Sequence, residues 1–146
     1  IKDRNAAADA DLWLAYALLE AGRLWQAPQY DAMGRKLLEL VRRHEVADAG
    51  AAGLVLLPGP VGFVLSNERF RVNPSYLPGF MFEYFAAVDP KGPWAEIWRS
   101  YARLAPEIYA AGVAPDLYVV SSRGVITQDT ERETRLDIHS QRCDFK

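Results

Sequence analysis

From Leu12 to Leu19 the chain has no charged side chain, yet Asp9 and Asp11 stand just before this run and Glu20 directly after it. A helix that is apolar on every side has to be covered on every side. Residues 9–26 are therefore expected to form a buried helix with acid groups at its head. Asp9, Trp13, Tyr16 and Glu20 follow one another at helical spacing, which sets a carboxylate, an indole and a phenol on one stripe, while Asp11 points elsewhere. Either aspartate can serve as the N-cap by accepting hydrogen bonds from unpaired amides of the first turn, the ordinary reason for Asp at a helix start. The same position can also hold a carboxylate towards a ligand.

Residues 28–47 predict a second helix, amphipathic and half-exposed, with Tyr30, Met33, Leu37, Leu40, Val41 and His44 on its apolar side. Asp31 with Arg35, and Glu39 with Arg43, are spaced to pair along its polar side. His44 reads as a packed side chain rather than a ligand. Residues 53–57 and 61–65 read as short extended pieces around the breaker Pro58-Gly59-Pro60, a small β-ribbon or an extended loop. A third helix, again apolar nearly all round, is expected from Ser75 to Val88 with Pro78 in its first turn. The fourth starts at Gly92-Pro93, with Trp94, Ile97, Trp98, Tyr101, Leu104 and Ile108 inward and Glu96, Arg99, Ser100 and Arg103 outward, and Pro106 kinking or ending it. A β-hairpin follows, residues 117–120 and 124–127 around Ser121-Ser122-Arg123. The expectation is an all-α chain of two helical hairpins, each with an inner and an outer member, carrying short β-ribbon insertions. Residues 128–146, charged and without apolar period, are expected to be an exposed or disordered tail.

The net charge of −2 supplies no basic surface to neutralise phosphates, so nucleic acid is not an expected partner. No apolar run approaches a membrane span. Cys143 is the one cysteine, and neither His44 nor His139 has a second His or Cys at ligand spacing, so no metal site is expected. The opening residues, Ile1-Lys2-Asp3-Arg4-Asn5, carry neither Met nor signal peptide, and the chain is expected to begin inside a longer protein.

Two blocks carry a resemblance. Ala7-Ala8-Asp9-Ala10-Asp11-Leu12-Trp13-Leu14-Ala15 resembles the signature of glycoside hydrolase family 8, with Ala8 where the family has Ser or Thr and Leu14 where it has Ile or Met. Residues 56–63, Leu-Leu-Pro-Gly-Pro-Val-Gly-Phe, and Asn73-Pro74-Ser75-Tyr76-Leu77-Pro78 are similar to the subgroup encoded beside bacterial cellulose synthase. The resemblance runs from about Asp3 to about Leu117, so residues 1–127 are expected to be a partial family 8 catalytic domain and the tail to lie outside the family pattern.

The resemblance implies an (α/α)6 barrel, of which two inner–outer pairs would be about a third. It implies an endo-1,4-β-glucanase, periplasmic or secreted, cleaving cellulose-type β-1,4-glucan without cofactor, with a possible functional link to cellulose synthase. Inverting hydrolysis needs an acid and a base roughly 6.5–9.5 Å apart. The family's acid is a Glu preceding the signature and its base, in most subgroups, an Asp in a Ser-Tyr-Asp motif; neither motif is present, and Leu136-Asp137-Ile138-His139-Ser140 does not reproduce the second. The resemblance gives Asp9 as the catalytic candidate, holding the sugar at the cleavage point. Asp11, Trp13, Asn73 and Tyr76 are the substrate-binding candidates. Tyr76 and Trp13 are either platforms for glucose rings or core packing. The isolated chain is expected to be inactive and to self-associate through inner helices left partly uncovered. The alternatives are a non-catalytic glucan-binding or scaffold fragment, or a chitosanase or xylanase of the same family.

Overall fold

A computed structural model describes residues 5–65 and 68–129. Its helices are α1 (Ala8–Trp25), α2 (Pro28–His44), α3 (Gly79–Val88) and α4 (Trp94–Ile108). The strands are β1 (Val46–Asp48), β2 (Leu54–Leu56), β3 (Val64–Leu65), β4 (Arg69–Val72), β5 (Tyr118–Ser121) and β6 (Ile126–Gln128). β1 and β2 form a two-stranded ribbon, and β3-β4-β5-β6 an antiparallel sheet in that order. The chain is helix-rich, but the sheet is larger than the ribbon insertions expected for an all-α chain. No helix among the described residues is long and apolar enough to cross a membrane.

α1 and α2 approach closely because two glycines face across the contact. A Cβ on Gly22 would lie 2.7 Å from the Asp31 amide nitrogen, and one on Gly34 would lie 2.7 Å from Leu19 Cγ. Gly34 sets which side of α2 faces inward: Gly34, Leu38 and Val41 are buried. Met33, Leu40 and His44, all placed on the apolar side by the sequence reading, are exposed. Val41, on the expected side, is buried and Leu37 packs against the core, so the inward side overlaps the expected one but is turned towards Leu38. The Asp31–Arg35 and Glu39–Arg43 pairs form as expected, at 2.8 and 2.7 Å.

Leu12, Ala15 and Leu19 of α1 meet Leu38 and Val41 of α2, Met81, Phe82 and Phe85 of α3, and Trp94 and Ile97 of α4 in one core. The opposite side of α1 is uncovered: Trp13 is 52%, Leu14 55%, Leu24 62% and Trp25 69% exposed. Phe80 on α3 is likewise exposed. The two apolar helices are thus buried on one side only. A second core joins Val55, Leu57, Phe70, Val72, Ile108, Tyr118 and Val120 beneath the sheet.

The two pieces flanking Pro58-Gly59-Pro60 do not pair with each other. β2 pairs with β1 and β3 with β4, because the breaker is held against the head of α1: Ala8 N–H donates to Pro58 O at 3.0 Å, and a Cβ on Gly59 would lie 2.5 Å from Ala6 O. Asn5 fastens the same loop by exchanging hydrogen bonds with the Val61 backbone.

α3 begins later than expected. Pro74–Tyr76 is a separate 3-10 turn, and Pro78 is the residue before the helix rather than within its first turn. Pro106 lies inside α4, which ends two residues on at Ile108, so the proline closes the helix as expected. Ser100, expected outward, is buried because Gly53 lets its turn pack directly against it. The β5–β6 hairpin forms, its turn closed by Gly124 N–H donating to Ser121 O at 2.8 Å with Gly124 at φ +80°. Gln128 belongs to β6 and is exposed as expected, but the Asp129 side chain beside Arg71 is only 7% exposed, so the expected exposed tail does not include residue 129. The rest of the expected tail, from Thr130, lies outside the described residues.

Candidate active site

The head of α1 is not capped by either aspartate. Ala7 holds the N-cap position without a side-chain hydrogen bond, and Asp9 and Asp11 both lie in the first turn. Ala8 N–H is satisfied by Pro58 O and Asp11 N–H by Ala7 O, so backbone replaces the expected cap. Both carboxylates sit at the positive end of the helix dipole, a favourable place for anions worth about 0.3–1 kcal/mol each at a surface. With no capping bond to make, they are available for other contacts.

Asp9 lines a small cleft with Trp13, Ser75, Tyr76 and Pro78, floored by Leu12 and Met81. Burial, and next the Asp9 charge, push the Tyr76 phenol above its ordinary range, which records how near the two groups are. Tyr76 is half-buried, and the turn that carries it is capped by Asn73, whose Oδ1 accepts from Ser75 N at 2.9 Å and from Ser75 Oγ at 2.6 Å. Asn73 thereby shapes the Tyr76 turn. The structure brings Asp9, Trp13 and Tyr76 together, with Asn73 one step behind.

The expected stripe along α1 is present and leads away from the cleft. Trp13 and Tyr16 meet edge to face at 6.2 Å, and Tyr16 packs on Phe80 at 5.8 Å and Tyr84 at 5.1 Å. Glu20, bound by Arg23 and by the Tyr84 hydroxyl, closes the row with its carboxyl held below the usual range. Trp13 also tilts against Phe80, at 6.0 Å. Its half-exposed ring is therefore both braced by neighbours and open to solvent.

Asp11 is not among the cleft residues. It meets Glu45, a residue the sequence reading passed over, which lies just beyond α2 and is 2% exposed. Burial, then the Asp11 charge and hydrogen bond, then Asp9, push the Glu45 carboxyl up to about 7. A signal existed in the sequence: Gly34, Leu38, Val41 and Glu45 continue one stripe at helical spacing. The expected inward side held Val41 of this stripe but omitted Leu38, and ended on the exposed His44 in place of Glu45.

This geometry coincides with a family assignment. The description "Glycosyl hydrolases family 8" matches residues 1–144. The chain belongs to family 8. The match runs past Leu117, where the recognisable motifs thin out. Among its relatives, an endoglucanase of Xanthomonas axonopodis pv. citri (strain 306) is 48% identical over 116 residues, covering 80% of this chain and 30% of the relative. An endoglucanase of Escherichia coli (strain K12) is 41% identical over 116 residues, covering 80% and 31%. The crystal structure of an endo-1,4-D-glucanase from Vibrio fischeri ES114 superposes with a TM-score of 0.83 at 41% identity, covering 88% of this chain and 37% of that one. The chain thus spans about a third of the length of these family 8 proteins.

Proposed function

We propose that this chain is a segment of an endo-1,4-β-glucanase that hydrolyses internal bonds of cellulose-type β-1,4-glucan by an inverting acid/base mechanism, and that it supplies the part of the groove that grips the sugar at the cleavage point. The observation that carries this reading is the cleft itself: a carboxylate in the first turn of α1 faces the half-buried Tyr76 ring, beside the half-exposed Trp13. Aromatic faces suit the C–H faces of glucose rings, and a carboxylate accepts hydrogen bonds from the sugar hydroxyls. Asp9 in this role helps bend the ring towards the oxocarbenium-like state, a strain contribution of about 1–5 kcal/mol. The named activities of the Xanthomonas and Vibrio relatives support the substrate class.

In this reading α1 and α3 are inner helices and α2 and α4 outer helices of an (α/α)6 barrel. The exposed side of α1, with Leu14, Leu24 and Trp25, is the surface that further barrel helices would cover. The protein works in the periplasm or is secreted, in functional association with cellulose synthase. The 146 residues on their own bind glucan without cutting it.

The test uses the chain as it stands. Titration with cello-oligosaccharides should give saturable binding, and carboxymethylcellulose should yield no new reducing ends above background. Absence of binding would remove the glucan reading; release of reducing ends would show that a base and an acid lie within these residues, with Asp137 the first to examine.

A further inference from the structure

Glu45 has a buried carboxyl, and among the described residues no cation faces it. Its backbone is fully used, N–H donating to Val41 O at 2.8 Å and its carbonyl accepting from Leu57 N at 2.7 Å. Its Oε2 has no hydrogen-bond donor beside it, because what faces the carboxyl is Asp11, within hydrogen-bonding reach, and then Asp9. The neighbouring cations are turned outward: Arg42 and His44 are exposed, and Arg43 is held by Glu39 at 2.7 Å. Tyr76, on the nearby turn, faces Asp9. Among the described residues no group of three or more His, Cys, Asp or Glu side chains could hold a metal ion. Two adjoining carboxyls, one buried and one partly exposed, cannot both ionise freely, so one retains a proton, and the more deeply buried, Glu45, is the one that keeps it. The upward displacement of Glu45, to about 7, agrees in direction.

We propose that Glu45 is the positioning residue of the glucan cleft: as a neutral acid it donates its Oε–H to the Asp11 carboxylate and so fixes the first turn of α1 with Asp9 facing the sugar. The positioning role rests on reading that cleft as the glucan site; the retained proton does not. When Glu45 releases its proton to solvent, a buried carboxylate faces the Asp11 carboxylate, and either Glu45 must hydrate or the head of α1 must shift away. Both stability and glucan affinity then fall as pH rises through the Glu45 titration.

The experiment follows the Glu45 side-chain carboxyl carbon by NMR across pH in the 146-residue chain, with melting temperature and cello-oligosaccharide affinity over the same range, for wild type, Glu45→Gln and Asp11→Asn. In wild type the carbon should titrate about one unit or more above an ordinary Glu, with melting temperature falling between about pH 5 and pH 8 and affinity falling about threefold or more. Glu45→Gln, a neutral donor of similar shape, should show neither fall. Asp11→Asn should move the Glu45 midpoint down, and should Glu45→Gln not fold, this shift and the wild-type midpoint decide. An ordinary midpoint with intact binding overturns the Glu45 proposal alone, as does the same pH dependence in Glu45→Gln. A raised midpoint with pH-independent affinity overturns the positioning role, and no binding at any pH overturns that role together with the glucan reading.

Discussion

Arg71 and Glu45 are 1% and 2% exposed, and little else about their surroundings is alike. Arg71 lies in β4, inside the sheet, where Nε donates to Asp129 at 2.6 Å and Nη1 to Gly62 O at 3.2 Å. Its counter-charge is buried with it, the Asp129 side chain being 7% exposed. Glu45 lies between α2 and β1, and among the described residues the charges that act on its carboxyl are those of Asp11 and Asp9. A buried charge beside its opposite fastens two parts of a chain, and removing one partner leaves the other stranded. An acid buried among acids can be neutralised only by a proton, so its state follows the solvent pH. The sheet half of this molecule uses burial to hold, and the helical half uses it to set the ionisation of a site.

The largest expected effect breaks the first member of that comparison. Arg71→Met removes the guanidinium beside the buried Asp129 carboxylate and should cost about 3–5 kcal/mol, read as a drop in the urea midpoint, while adding Asp129→Leu should recover much of it. If the single variant is as stable as the double, the pair is not a fastening. Next comes the pH response of the second member. Glu45 is raised from 4.5 to about 7 in the folded chain, so the folded state holds a proton that the unfolded chain gives up near 4.5. Stability is therefore highest at and below about pH 4.5 as far as this group is concerned, and falls as pH rises to about 7 by roughly 3 kcal/mol. Denaturant unfolding at closely spaced pH values measures it, and Glu45→Gln should flatten this window.

A smaller effect sharpens the division between holding and tuning at the cleft. Asp9→Asn removes a carboxylate that makes no cap, so stability should change by no more than the dipole contribution of about 0.3–1 kcal/mol, while cello-oligosaccharide affinity drops about tenfold. Equal affinity in the variant would reduce Asp9 to a helix-dipole residue. The smallest is Asn73→Ala, which loses the cap on the Tyr76 turn and should lower stability by about 1 kcal/mol, checked by thermal melting.

What could be read in advance was local. The Asp31–Arg35 pair, the β5–β6 hairpin and the acid head of α1 each depend on residues close together along the chain. The orientation of α2 could not be read the same way, because it turns on Gly34 fitting against Leu19, a contact between two helices that apolar periodicity does not encode. With Leu40 and His44 placed inward and Leu38 left out, nothing drew attention to Glu45 at the end of the buried stripe. Asp129 was misjudged for a similar reason. Its charge looked like part of a solvated run, and only the pairing of β4 with β5 and β5 with β6 brings it to Arg71.

The bond from Ala8 N–H to Pro58 O and that from Leu57 N–H to Glu45 O close the acid head of α1 against the loop that follows β2. Neither bond belongs to the helix or strand interior on which it borders, and the first joins residues far apart in sequence, so it forms only after the chain has folded back on itself. These two amides therefore act as a built-in reporter. Their hydrogen-exchange protection measures the free energy of opening this corner separately from the free energy of unfolding the core. Protection factors at Ala8 and Leu57, corrected for the intrinsic pH dependence of amide exchange, that fall together above neutral pH while those of Leu38 and Phe85 hold would show the corner opening as one unit.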